Sequence, residues 1–71
     1  MKKTEELSNP NSCLNKAKPD ELLFVLLGRD KAAPWAVRHW IMHRIRLGLN
    51  QDGDPQIVEA EEWARAVEMG Q

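Results

Sequence analysis

Between residues 29 and 46, five basic side chains (Arg29, Lys31, Arg38, Arg44 and Arg46) stand against one acid, Asp30. Pro34 lies in the middle of this run and suits the first turn of a helix, where its missing N–H costs nothing. The N–H groups of Trp35 and Ala36 are then free at the positive end of a helix, which favours an anion. A guanidinium fork matches phosphate or carboxylate in bidentate fashion, and an indole ring offers a stacking face for a base. The expected constellation is therefore an anion or nucleotide site. Arg29 and Arg38 hold phosphate, Trp35 stacks, and Asp30 caps the helix or accepts from a ribose or base. Lys16 closes the site, and His39 shares the helical side of Trp35. Arg38 also has a plainer reading. It falls inside an apolar arc, so it must be paired or reach out along its stem, and Asp30 or an acid of the last helix can pair it.

Other chemistry is poorly served. His39 and His43 are four apart, but no glutamate follows His39 in the H-E-x-x-H sense and no third metal ligand is evident. Cys13 is a lone thiol, read as a small hydrophobe. Gly28-Arg29-Asp30-Lys31 lacks the spacing of a phosphate loop, and there is no G-x-S-x-G. Asp52 and Asp54 flank Gly53 in a turn too short for a calcium hand. No motif calls for a cofactor, and an enzyme is not expected.

The elements that must position these residues follow from punctuation and period. Residues 1–11 are polar apart from Met1 and Leu7 and read as a mobile tail, with residues 12–71 as a single small domain. Ser12 can cap one helical turn, and Pro19 closes that connection. Residues 22–27 are six apolar residues in a row, L-L-F-V-L-L, in which helix and strand compete. The short length, Phe24 and Val25 in the middle, and Gly28 at the end favour a strand over about residues 22–28. Such a strand has two apolar faces and no partner in its own chain, which predicts pairing between subunits or burial in an oligomer interface.

A helix is expected over about 34–47, stopped by Gly48, and another over about 55–69, opened by Asp54-Pro55 and stopped by Gly70. On the last helix Ile57, Ala60, Trp63, Ala64 and Val67 share one face, with acids on the others. The first long helix is apolar on two sides: Val37, Ile41, Met42, Ile45 and Leu49 form one arc, and Trp40 and Leu47 sit on another. A helix of this kind is buried on two sides, so one side needs the strand or another subunit. The fold class expected is α+β: small, mostly helical, one short strand, two main helices, oligomeric.

The 71 residues carry ten basic and eleven acidic side chains, a net charge of −1, so the chain-wide basic footprint of a nucleic-acid binder is missing. A helix-turn-helix is also disfavoured, because residues 48–54 make a long connection and the last helix, with four acids and Arg65 between residues 59 and 68, would be repelled by phosphate. No apolar run approaches a membrane span, and the polar start does not read as a signal peptide, so the expected compartment is the cytoplasm.

The stretch Ser12-Cys13-Leu14-Asn15-Lys16-Ala17, then Asp20-Glu21, Phe24-Val25-Leu26, Asp30 and Ala33-Pro34, resembles a group of small phage and prophage proteins with an S-C-L-x-K-A … F-V-L … D-x-x-A-P block. The match covers about residues 12–40. Where members of that group carry Glu-Pro before the apolar run, this chain has Leu22. The resemblance implies a setting in the bacterial host cytoplasm. Small oligomeric phage proteins include inhibitors of bacterial defence, some of which sequester nucleotide-type signals without cleaving them. The expected function is thus non-catalytic sequestration of a phosphorylated small molecule, a nucleotide-type immune signal, at a subunit interface. The alternative is a protein–protein interaction module that inhibits a host protein through its apolar strand or acidic last helix.

Overall fold

The computed structural model describes residues 1–70. They hold four helical segments: α1 (Lys3–Ser8), α2 (Cys13–Lys16), α3 (Ala33–Arg46) and α4 (Pro55–Glu68). α3 packs on α4, and α1 packs on α2.

The α3–α4 hairpin is built by its punctuation. Pro34 opens α3 and is buried there. At the other end Gly48 takes φ +75°. Its N–H donates to the Ile45 carbonyl at 3.0 Å, while the Leu49 N–H donates to the Arg44 carbonyl at 3.0 Å. This paired closure satisfies the last carbonyls of the helix and needs the left-handed backbone that glycine adopts without strain.

Asn50 ties the two helices together across the loop. Its carbonyl oxygen accepts from Arg44 Nε, and its amide donates to Asp54 Oδ2 at 3.0 Å and to Gln56 Oε1 at 3.3 Å. Asp54 stands at the N-cap position, and its backbone carbonyl receives the Val58 N–H. Its carboxylate, however, turns back into the loop, taking the Gln51 N–H at 2.9 Å. These hydrogen bonds, that from Gln51 first and that from Asn50 second, hold the Asp54 carboxyl below its ordinary pKa.

The core is thin. Ile57 and Ala60 of α4 cluster with Ile41 of α3, with Val37 and Ile45 packed alongside, and Ala64 of α4 and Ala33 at the start of α3 are also buried. Alanines let the two helix backbones approach, but each contributes little apolar area. Ile57 is the one large side chain fully buried among the described residues, a burial that stabilises by about 2–3 kcal/mol.

The expected α+β class is corrected to all-α: among the described residues there is no strand. Residues 22–27 run without helix or sheet hydrogen bonding, and Leu22, Leu23, Phe24, Val25 and Leu27 are exposed. A strand exists only where a neighbouring segment completes its ladder, and the other described residues form helices and loops. The segment is anchored at its end instead. A Cβ on Gly28 would lie 3.2 Å from Val67 Cγ2 and 3.9 Å from the Trp63 ring, so the chain passes close over α4 where glycine leaves room.

Residues 3–8, within the segment read as a tail, form α1. Its carbonyl end is closed by side chains from beyond it: Ser12 Oγ donates to the Glu6 carbonyl at 2.6 Å. Asn15 Nδ2 donates to the carbonyls of Glu6, Leu7 and Asn9 at 2.8–3.0 Å. Ser12 Oγ also accepts the Asn15 N–H at 3.2 Å, capping α2 as its position in the sequence implies.

Candidate functional site

Two surfaces compete for a function. The first is the expected anion site at the start of α3. Arg29 lies in the exposed turn before the helix. Asp30 shapes that turn, its Oδ1 accepting the Ala32 N–H at 2.9 Å. Trp35 is 67% exposed, and its ring stacks on His39 one turn later with centroids 3.9 Å apart and planes tilted 32°. His39 Nδ1 also lies 3.2 Å from the Trp35 carbonyl. Two of the six expected residues, Trp35 and His39, thus share one side of α3, as their spacing of four dictates.

Arg38 is already engaged. Its Nη2 bonds and ion-pairs with Glu68 Oε1 at the end of α4, in the open. That hydrogen bond raises the pKa of Arg38 and, as its largest cause, lowers that of Glu68. The plainer reading of Arg38, pairing with an acid of the last helix, therefore describes this geometry. Lys16 sits at the end of α2, whose packing partner is α1. Arg44 lies over the Trp40 ring at 5.5 Å from its centroid and spends its Nε on Asn50.

The second surface is an open groove of about 560 Å³ between the extended segment and the α3–α4 hairpin. Leu23, Phe24, Val25 and Leu26 form one wall; Val37, Trp40, Ala60 and Trp63 form the floor and the other wall. Asn9, Asn11, Ser12, Gln56 and Glu59 add polar groups to its lining, and none of the six expected ligand residues lines it. An apolar trough with polar groups in its lining suits a protein contact or an apolar ligand. Its charged side chains are the acids Glu6 and Glu59, the wrong sign for holding phosphate.

The residues expected for the anion site lie away from this groove, which is lined instead by the apolar run expected for the alternative contact. The apolar run at 22–27 and the second apolar side of α3, which carries Trp40, are the two walls it brings together. Among the described residues no group of three or more His, Cys, Asp and Glu side chains is placed to hold a metal ion. Among the described residues no helix is long and apolar enough to cross a membrane. No protein-family model, curated protein or solved structure matches the chain.

Proposed function

We propose that this protein works by association, as a non-catalytic interaction module whose contact surface is the segment 22–27 with its adjoining groove. The observation that carries this reading is the exposure of that segment, with Leu22 at 97% and Phe24 at 86%. Contiguous apolar surface of this kind, rimmed by polar groups, marks a contact with another polypeptide. A bacterial host is the setting we propose for such a contact, on the resemblance of residues 12–40 to small phage proteins. Replacing Phe24 with a photo-crosslinking benzoylphenylalanine in expressing cells tests the proposal. Illumination yields a covalent adduct with a polypeptide, whereas the same probe at exposed Glu62 yields far less. Free protein alone after illumination at position 24 would sink the reading.

A second reading keeps the small ligand, on the strength of the exposed Trp35–His39 stack directly after the Arg29 turn and Lys31. There Trp35 stacks a base and Arg29 holds phosphate, with Arg38 contributing only on release from Glu68. Native mass spectrometry against cyclic di- and trinucleotides and ADP-ribose derivatives decides it. The reading expects a gain in mass that Trp35→Ala and Arg29→Ala abolish, and no gain with any of these compounds overturns it.

A further inference from the structure

We infer that the polypeptide seated on residues 22–27 is a second copy of this chain, in a closed two-fold pair in which each segment lies in the groove of the other. This inference rests on the interaction reading above and names its partner.

The first argument is area. The chain exposes 6108 Å², whereas a compact monomer of its mass exposes about 4500 Å². The surplus, about 1600 Å² per chain, falls in the range of roughly 1000–2500 Å² that each partner of an obligate dimer buries. The second argument is self-complementarity. A two-fold contact needs one patch that carries both the projecting group and the receiving hollow. Here Leu22 and Phe24 are almost fully exposed, and the hollow lined by Leu26, Val37, Trp40 and Trp63 adjoins them, with Phe24 itself lining it. A foreign partner needs only one of the two. The third argument is the thin core. Filling the groove from a second chain supplies large apolar side chains to a hairpin that buries mostly alanine and isoleucine of its own. With a net charge of −1, two copies meet little long-range repulsion.

Size-exclusion chromatography with light scattering, run beside binding of the apolar dye anilinonaphthalene sulfonate, tests the pair. The wild type elutes with twice the chain mass of 8.2 kDa and stays dark with the dye. Leu22→Ser removes a side chain that touches almost nothing within its own chain, so its effect reports on the partner. It raises the dissociation constant about a hundredfold, roughly tenfold for each of the two leucines. Phe24→Asp gives a dye-binding single chain, with helical circular dichroism showing that α3 and α4 persist. A wild-type monomer that binds the dye overturns the second copy while leaving an open contact surface for another polypeptide. A monomer that stays dark overturns both readings, and a polydisperse ladder of masses overturns the closed two-fold pair.

Discussion

Arg38 shows how one residue can satisfy a structural demand that looks, in the sequence, like a chemical one. An arginine inside an apolar arc needs a counter-charge, and Glu68, the last residue of α4, provides it across the hairpin. Because the pair is about half exposed, its worth is modest and screened. The bond from Arg38 depresses the Glu68 pKa, and a depressed carboxylate stabilises the fold above its unfolded pKa, about 4.3. That contribution is lost as the pH falls through the lower, folded value. Asp54, held low by Gln51 and Asn50, acts in the same direction. Glu68→Gln should therefore lower the thermal midpoint at about pH 7 by less than roughly 4 °C. The difference from wild type should close at acid pH, once Glu68 is protonated in the folded protein as well. An equal difference at both pH values, followed by circular dichroism, would show that packing rather than charge is at work.

At the scale of elements, the two long helices were legible to within a residue. α3 and α4 are bounded by Pro34, Gly48, Pro55 and Gly70, residues whose backbone limits act locally and can be read locally. The buried positions Ile57, Ala60 and Ala64 follow from the helical period for the same reason. The segment 22–27 was not legible, because six apolar residues carry no period. Whether such a run pairs, coils or docks depends on a neighbour that the run itself does not specify. α1 was missed for a related reason. Six residues are too few to be stable as an isolated helix, and what closes this one, Asn15 and Ser12, lies several residues beyond its end. The conspicuous Ser12-to-Ala17 block thus has a structural job here, capping one short helix and closing another. Of the expected site, the helical spacing pairs Trp35 with His39, which stack in the structure, and sets Arg38 in the apolar arc. It could not show that Glu68 would reach Arg38 first, since that depends on how α4 crosses α3.

The whole molecule is looser than its length requires. Its radius of gyration is 12.7 Å, against about 11 Å for a compact chain of this size, and its apolar segment lies open. Chains this small are generally stabilised by a disulfide, a metal or association. Cys13 is a single free thiol, and no metal cluster is present among the described residues. Association, the pairing inferred above, leaves a thermodynamic signature that needs no knowledge of the interface. If folding and pairing are coupled, the unfolded state is favoured by dilution, so the thermal midpoint depends on protein concentration. With the usual unfolding enthalpy per residue summed over two chains, each tenfold dilution lowers the midpoint by about 5 °C. Differential scanning calorimetry across two decades of concentration measures this directly. Leu22→Ser should shift the whole line downward at constant slope while pairing survives, and flatten it once the single chain dominates. A wild-type midpoint indifferent to concentration would mean that the hairpin of α3 and α4 is sufficient by itself, and that the open groove serves a partner made by another gene.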